Sequence, residues 1–248
     1  MLFKSFVFVL LWLSTALSTD AQEADLRLVS YNVRNGKGMD NRTDYDRTAA
    51  VIQKAAAQVV ALQELDSSTA RSQGVEVLSV LAQKTGMHAV YGPAIPYGGG
   101  KYGVGILSKE KPLQHYTVSL PGREEQRVLL VAEFNEFVVF NTHLSLTEED
   151  RMTSIAIINR EADQFQKPVF LLGDLNAEPT SSFLIQLKKD WQLLSGEAPT
   201  FPAPLPDKCI DYILSRNSKM TVSHAEVMDE PQASDHRPVL VTLKAKLP

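Results

Sequence analysis

One stretch constrains the fold of this chain more than any other: residues 168–179, Pro-Val-Phe-Leu-Leu-Gly-Asp-Leu-Asn-Ala-Glu-Pro. The apolar run 169–172 has the length of a fully buried strand, and Gly173 ends it. Asp174 and Asn176 follow two positions apart, so both face one side as the chain leaves the sheet. The pattern predicts either a carboxylate–amide pair that holds a water and an anionic oxygen, or an ordinary strand-to-helix turn.

Further polar residues lie at or near the ends of other predicted strands. Asn32 ends the strand 26–33, where a turn residue is the alternative interpretation. Glu64 lies in the apolar run 59–65, and a carboxylate is costly to bury there unless it is paired or binds a metal. The local pattern alone favours a strand-end glutamate in contact with water. His143 leaves a strand that begins at 137, much as Asp174 leaves its own.

The order of residues is reversed in the last motif. Asp235 and His236 precede the strand 239–243, whereas the other polar residues follow or end theirs. All can meet at one rim only if the final strand runs antiparallel to those others, so the sequence predicts a mixed sheet. Asp211 lies inside the apolar run 210–214, and a pair with Lys208 is its alternative interpretation.

The remaining secondary structure follows from periodicity and capping signals. Thr43 with Asp46 resembles a capping box at the start of a helix, and a second helix is expected over 75–84. Glycine-rich residues 96–103 predict either a flexible substrate loop or a plain hairpin connection. A third helix is expected after Thr147, with Met152 facing the core and Arg151 on or near the solvent side.

Residues 1–21 resemble a secretory signal peptide. Lys4 precedes the apolar core 6–13, and small residues stand at Thr19 and Ala21. The apolar core is well short of the ~20 residues that span a bilayer, so no stable membrane anchor is expected. We therefore expect one domain, residues 22–248, in a secreted or periplasmic protein that is a monomer.

Charge and cysteine content exclude several classes of site. Removal of residues 1–21 takes away one charge of each sign, so the mature chain keeps the net charge of −4. Nucleic-acid binding is possible but not favoured, because sequence-independent binding depends on many Lys and Arg contacts to phosphates. Cys209 is the only cysteine, which argues against an internal disulfide and against a thiolate zinc site.

If the polar strand ends converge, they form a cluster rich in carboxylates. Hard oxygen ligands with few nitrogens suit Mg²⁺, with Mn²⁺ or Ca²⁺ as alternatives, and an acidic cluster needs a cation to relieve its own repulsion. Such a site fits the attack of water on a phosphoester. No Ser or Cys has the sequence context of a nucleophile elbow.

Six ordered motifs resemble those of the endonuclease/exonuclease/phosphatase superfamily. They are Tyr31-Asn32, Leu62-Gln63-Glu64, Asn141-Thr142-His143-Leu144, Gly173-Asp174-Leu175-Asn176, Ile210-Asp211-Tyr212-Ile213 and Ser234-Asp235-His236-Arg237-Pro238. The resemblance implies a DNase I-like fold of the α/β class, a four-layer α/β/β/α sandwich with two mixed β-sheets.

The resemblance also implies a metal site. Glu64 corresponds to the principal Mg²⁺ ligand, with Asn32 and Asp235 nearby. Tyr102 occupies the neighbourhood in which relatives often carry a substrate-facing tyrosine. Arg127 is expected to contact phosphate or to form a structural salt bridge.

The catalytic roles come from the same resemblance. Asp174 resembles the residue that positions or deprotonates the water, and Asn176 one that binds a phosphate oxygen. His143 resembles the histidine that stabilises the phosphate or the leaving group. His236 resembles the second catalytic histidine, oriented by Asp211.

The motifs do not choose the substrate, because the superfamily acts on DNA, RNA, inositol phosphates, sphingomyelin and nucleotides. We expect a secreted phosphodiesterase that acts on a small or lipid-derived phosphoester. An extracellular endonuclease and a non-catalytic binding protein on the same fold are the alternatives.

Overall fold

A computed structural model describes residues 25–244, and the predicted signal peptide lies outside these residues. The strands are β1 (Leu26–Asn32), β2 (Val59–Ser67), β3 (His88–Tyr97), β4 (Gly100–Ser108), β5 (Gln114–Leu120), β6 (Arg127–Glu133), β7 (Val138–His143), β8 (Val169–Asp174), β9 (Gln192–Leu193), β10 (Asp211–Arg216), β11 (Thr221–Val227) and β12 (Val239–Lys244). The helices are α1 (Tyr45–Ala55), α2 (Val77–Thr85), α3 (Glu148–Ala162) and α4 (Ser182–Leu187), with a 3₁₀ turn at Arg34–Gly36. None of the helices within 25–244 is long and apolar enough to cross a membrane.

The strands form two six-stranded sheets. The first has the order β11-β12-β1-β2-β4-β3, and the second has the order β5-β6-β7-β8-β10-β9. Apolar side chains from both sheets, such as Ile106 and Phe170, pack together in one buried layer between them. The outer face of the first sheet packs on α1 and α2, and that of the second packs on α3 and α4. The predicted α/β/β/α sandwich is confirmed.

Both sheets are mixed, and this mixture brings the motifs to one rim. β1 pairs with β2 in parallel and with β12 antiparallel, while β7 and β8 are parallel and β10 runs antiparallel to β8. The carboxyl ends of β1, β2, β7 and β8 therefore lie beside the amino ends of β10 and β12. The antiparallel final strand is confirmed.

Two local predictions were wrong, at the start of α1 and at the start of α3, and the structure decides between the two alternatives for the glycine-rich segment. Asp44, not Thr43, caps α1, because its Oδ1 accepts from the Arg47 amide. Residues 96–103 are not a flexible loop: β3 and β4 form a hairpin through Gly98 and Gly99, both at the positive φ that tight hairpin turns require.

Helix α3 differs from the expectation at two residues near its start. Met152 is 38% exposed, whereas Arg151 is buried. The reason is the segment before the helix, since Arg151 Nη1 donates to the Ser145 carbonyl 2.9 Å away. Thr147 is the N-cap residue as predicted, but its side chain forms no capping hydrogen bond.

Candidate active site

A bulge in the first sheet places Glu64 in the cleft. The pairing of β2 with β4 shifts between Leu62 and Leu65, and Glu64 adopts a φ of 60° within this interruption. A bulge leaves its extra residue outside the ladder and re-aims its side chain. β2 continues beyond the bulge to Ser67, so the interpretation of Glu64 as a strand-end residue was wrong.

Asn32 links Glu64 to Asp174 across the two sheets. Its side chain is fully buried, and Nδ2 donates to Glu64 Oε1 at 3.0 Å and to Asp174 Oδ2 at 3.1 Å. Its Oδ1 accepts from the Arg34 amide at 3.1 Å. In this arrangement Asn32 holds two carboxylates together and directs its oxygen at the backbone.

Asp174 lies at the centre of the site, at the buried end of β8. Its Oδ2 is 3.4 Å from His143 Nε2 and 3.7 Å from His236 Nε2, and its Oδ1 accepts from the Asn176 amide at 3.0 Å. Burial raises the pKa of Asp174 above its ordinary value, and the two histidines only partly oppose this effect. A carboxylate in this setting has a greater affinity for a proton than an exposed one.

His236 is held by Asp211 and Thr200. Its Nδ1 lies 2.9 Å from Asp211 Oδ2, which also accepts from Thr200 Oγ1 at 2.6 Å. Burial on its own lowers the pKa of His236, but Asp211 and Asp174 outweigh it and raise the pKa to about 10. The imidazole is therefore protonated at neutral pH. The alternative pairing of Asp211 with Lys208 is wrong.

His143 differs from His236 in its protonation state. Burial is the largest influence on its pKa and lowers it to about 4, although Asp174 acts in the other direction. His143 is therefore neutral at neutral pH, so that one ring nitrogen donates and the other accepts. Two histidines on either side of one carboxylate thus differ in charge.

Asn176 follows Asp174 at a φ of 48°. Its Nδ2 donates to the Leu144 carbonyl at 2.9 Å, which fixes the amide against the segment between β7 and α3. An amide nitrogen carries two hydrogens, so the second is available to the cleft that Asn176 lines. A further amide in these motifs, Asn141, does not reach the cleft: it is buried and donates to the Leu62 and Gly105 carbonyls.

Asp235 is half-buried and forms an ion pair with Arg34, whose Nε lies 3.3 Å from Oδ2. The neighbouring Ser234 hydroxyl donates to the Asn32 carbonyl at 2.7 Å and ties this segment to the end of β1. No local sequence pattern indicates this role of Ser234, because its partner lies 202 positions away in the chain.

The site opens into a cleft of about 890 Å³. Six of the eight candidate residues line this cleft: Glu64, His143, Asp174, Asn176, Asp235 and His236. The other two, Asn32 and Asp211, are buried and contact these residues from behind. Arg127 also lines the cleft and pairs with Glu124 at 3.1 Å and Glu125 at 2.9 Å, so the expected salt bridge is present, and the contact with phosphate stays a prediction. Glu124 and Thr200 were missed, because their partners Ser145 and Asp211 lie 21 and 11 positions away in the chain.

Two groups of side chains have the chemistry to hold a cation. Asp174, Asp211 and His236 have ligand atoms within 4.8 Å of one another and could hold a metal ion, but His236 Nδ1 is already bonded to Asp211. Glu64 and Asp235 line the same cleft and are only half-buried. Within residues 25–244, the only hydrogen bond to the Glu64 carboxylate is to Oε1.

Sequence comparison agrees with this geometry. The model of the Endonuclease/Exonuclease/phosphatase family matches residues 29–236, which include every candidate residue. The chain belongs to this family. Members of the Endonuclease/Exonuclease/phosphatase family are generally hydrolases that act on phosphoesters. No curated protein matches the sequence.

Solved structures of the family share the fold. An endonuclease/exonuclease/phosphatase from Beutenbergia cavernae is 23% identical, with a TM-score of 0.75 over 89% of this chain and 72% of that one. A family protein from Bacteroides thetaiotaomicron is 19% identical, with a TM-score of 0.75 over 91% and 97%. A mannosyl-6-phosphatase from the same organism is 18% identical, with a TM-score of 0.71 over 88% and 99%. These identities establish the shared fold alone.

Proposed function

We propose that this protein is a secreted, Mg²⁺-dependent phosphodiesterase that hydrolyses a small or lipid-derived phosphoester by in-line attack of water. The observation that supports this most directly is the buried Asp174 between a neutral His143 and a protonated His236. Pairs of titratable groups whose surroundings separate their pKa values are typical of acid–base sites.

The proposed roles follow from these protonation states. Asp174, with a raised pKa, accepts a proton from the attacking water. His236 donates from Nε2 to a phosphate oxygen and stabilises the charge that develops there, while Asp211 fixes its orientation. Asn176 donates to a second phosphate oxygen. His143 donates from its protonated ring nitrogen to the phosphate or the leaving group.

We assign the metal site to Glu64 and Asp235, with Asn32 holding Glu64 in place rather than acting as a ligand. The Oε2 atom of the half-buried Glu64 carboxylate accepts no hydrogen bond from residues 25–244, and hard oxygen donors suit Mg²⁺. When bound, the ion would neutralise negative charge on the phosphate, and the protein residues would carry out the proton transfers. The buried Asp174–Asp211–His236 cluster is the less suitable place, because a metal there must break the His236–Asp211 bond.

Secretion is part of the proposal and rests on residues 1–21. The expected result is a mature chain that begins after Ala21. Export of the full-length gene product followed by mass spectrometry of its amino terminus tests this. Recovery of the intact residues 1–21 on a protein retained in the cytoplasm would contradict it.

The first test of the activity is hydrolysis of bis-p-nitrophenyl phosphate by the mature protein, with Mg²⁺ and with chelator. Asp174→Asn should lower kcat by roughly 10²–10⁴-fold, the usual contribution of a general base. Asp207→Asn, an exposed carboxylate outside the cleft, is the matched control and should retain full activity.

The same assay separates the alternatives. p-Nitrophenyl phosphate, a monoester, should be run in parallel because one structural neighbour is a mannosyl-6-phosphatase. A preference for the monoester would show that the protein is a phosphatase, and not a phosphodiesterase, with the same catalytic centre. No turnover of either ester with Mg²⁺, Mn²⁺ or Ca²⁺ would favour a non-catalytic binding protein.

A further inference from the structure

Two tyrosines and an arginine form a stack that leads out of the cleft. Tyr102 lines the cleft, and its ring centroid is 6.1 Å from that of Tyr97. The Arg71 Cζ atom lies 4.8 Å from the Tyr97 centroid and 5.6 Å from the Tyr102 centroid. Tyr97 is 42% exposed, so this Tyr–Arg stack runs from the cleft wall to the protein surface.

Arg71 is fixed in its orientation by a buried carboxylate. Its Nε and Nη2 donate to the two oxygens of Asp66 at 2.9 and 2.7 Å, and Asp66 is 1% exposed. Asp66 pairs with Tyr102 in the ladder of β2 and β4 and follows Glu64 by two positions. The bidentate contact offsets the guanidinium charge and sets the plane of the group. Arg71 Nη1 has no hydrogen-bond partner within residues 25–244.

The hairpin that carries both tyrosines is anchored to the segment that carries Arg71. The Ala70 amide donates to the Gly98 carbonyl at 2.7 Å. A Cβ at Gly100 would collide with the Ser67 carbonyl, so only glycine allows the two segments to approach this closely. These contacts hold the three side chains in place without a ligand, so that binding a ligand costs little side-chain entropy.

The chemistry of the stack suits a planar aromatic ring. Tyrosine rings and guanidinium planes are the surfaces on which proteins stack nucleobases. The charge of Arg71 is largely offset by Asp66, so the stack offers flat surfaces rather than a site for a second anion.

We propose that the Tyr–Arg stack is a subsite for a nucleobase, positioned so that a ring held there carries its phosphoester into the cleft beside Tyr102. This inference rests on the proposed phosphoesterase function and assigns its substrate class as a nucleotide phosphoester. A single ring suffices to fill the stack, so a nucleic-acid polymer is not required.

Equilibrium binding tests the subsite independently of turnover. Adenosine 5′-monophosphate and ribose 5-phosphate are titrated by calorimetry into the mature protein in Mg²⁺, in an Asp174→Asn background that suppresses hydrolysis. The two ligands differ only in the base. We expect the nucleotide to bind at least about tenfold tighter, and Tyr97→Ala to weaken its binding by roughly 5- to 150-fold, the range for a lost base–aromatic stack.

Controls separate stacking from a structural role. Tyr97→Phe should retain the preference for the nucleotide, and Leu113→Ala, 62% exposed before β5, should not alter it. Ribose 5-phosphate should bind all these variants equally. Equal affinity for the two ligands, a preference that survives Tyr97→Ala, or no nucleotide binding at millimolar concentration would overturn the inference.

Failure of the subsite and failure of the proposed function are distinguishable. Hydrolysis of bis-p-nitrophenyl phosphate by the wild-type protein without any nucleotide preference would overturn the subsite and retain the phosphodiesterase. A nucleotide preference that depends on Tyr97, together with no turnover of any ester, would retain the ring site and overturn the phosphoesterase.

Discussion

At the scale of single residues, two side chains of the site lie on backbone in the left-handed region. Glu64 and Asn176 have φ values of 60° and 48°, and seven other residues that are not glycine share a positive φ within residues 25–244. For a residue other than glycine this conformation costs about 1–2 kcal/mol, although asparagine tolerates it better. At Glu64 the cost accompanies a bulge that places the side chain in the cleft.

Replacing Glu64 by glycine and by alanine should separate backbone cost from function. Both variants lose the proposed metal ligand and should lose turnover. Glu64→Gly should nonetheless be more stable than Glu64→Ala by about 1 kcal/mol in urea unfolding, because only glycine adopts this φ without strain. Ala50→Gly in the exposed part of α1 is the control, and it should cost about 1 kcal/mol. Equal stability of the two Glu64 variants would contradict the strained bulge.

The raised pKa of His236 predicts a loss of stability in alkali. The folded protein holds this proton up to a pKa of about 10, whereas an unfolded histidine releases it near about 6.5. The contribution is therefore fully present below about pH 6.5 and disappears as the pH rises through about 10. Urea unfolding across this range in chelator measures it.

Asp211→Asn removes the carboxylate that contributes most to the raised pKa. The variant should be less stable than the wild type near neutral pH, and this difference should narrow as the pH rises toward about 10. A difference that stays constant with pH would show that Asp211 acts on stability independently of the imidazole charge.

At the scale of elements, the sequence predicted those structures whose signals are local. The buried strand before Asp174 and the start of α3 after Thr147 follow from patterns of a few residues, whereas the antiparallel final strand follows from the order of the polar residues along the chain. The wrong predictions concern features that tertiary contacts determine. Arg151 lies at helical spacing from the buried Ile155 and Ile158, but its charged side chain is buried on that face only because the Ser145 carbonyl accepts a hydrogen bond from it.

The candidate site was predictable to the same extent. Ordered motifs identified the residues at the strand ends, but not the groups that hold them. The bulge at Glu64 depends on the register between β2 and β4. The hydrogen bond from Thr200 to Asp211 forms only when the proline-rich residues 200–206 fold back toward β10. The distinction between the flexible loop and the hairpin at 96–103 required Ala70 as a partner for Gly98.

Glu124 provides a prediction for the connection between β5 and β6. Its carboxylate accepts from the Ser145 hydroxyl and the Leu146 amide, both at 2.8 Å, and from Arg127 at 3.1 Å. Although burial alone would raise the pKa of Glu124, these hydrogen bonds lower it to about 2. The stabilisation is present above the ordinary pKa near about 4.5 and is lost as the pH falls through about 2.

Glu124→Gln should therefore cost roughly 1–2 kcal/mol of unfolding free energy at neutral pH, since partial exposure reduces the value of a charged hydrogen bond. The difference from the wild type should shrink in acid. Glu136→Gln, on the exposed turn between β6 and β7, should have no effect at either pH. A Glu124→Gln variant as stable as the wild type would show that this connection is held by other contacts.

At the scale of the whole molecule, the site joins the two sheets, because Asn32 of the first donates to Asp174 of the second. An ion that binds the folded site should therefore stabilise the entire sandwich. At a concentration of Mg²⁺ one hundred times its Kd, the gain is about 2.7 kcal/mol, or roughly 5–10 °C in Tm for a chain of this size.

Variants locate the ion in the same thermal-unfolding experiment. Glu64→Gln should abolish the Mg²⁺-dependent rise in Tm, whereas Asp207→Asn should retain it. A rise that survives Glu64→Gln and is lost in Asp211→Asn would place the ion in the buried Asp174–Asp211–His236 cluster instead.

The charge of the whole molecule bears on the nuclease alternative. The full chain carries a net charge of −4, and carboxylates outnumber arginines and lysines in the cleft. The carboxylates are Glu64, Glu124, Glu125, Asp174, Glu178 and Asp235, and the arginines and lysines are Arg127, Arg151 and Lys208. Binding of a duplex depends on neutralising several phosphates, and its affinity then falls steeply with salt. We expect slow plasmid nicking, and hydrolysis of a small diester that barely changes with salt.

A charge reversal at the cleft tests whether electrostatic repulsion limits the rate of plasmid nicking. Glu178 is exposed and lines the cleft, whereas Glu136 is exposed on the turn between β6 and β7. Glu178→Lys and Glu136→Lys change the net charge equally, so a faster nicking rate in Glu178→Lys alone would identify repulsion at the cleft as the barrier to DNA. Fast nicking by the wild type that falls steeply with salt, unchanged by Glu178→Lys, would instead identify an endonuclease whose DNA lies along another surface. In that case the small-substrate assignment would be wrong while the catalytic centre itself would stand.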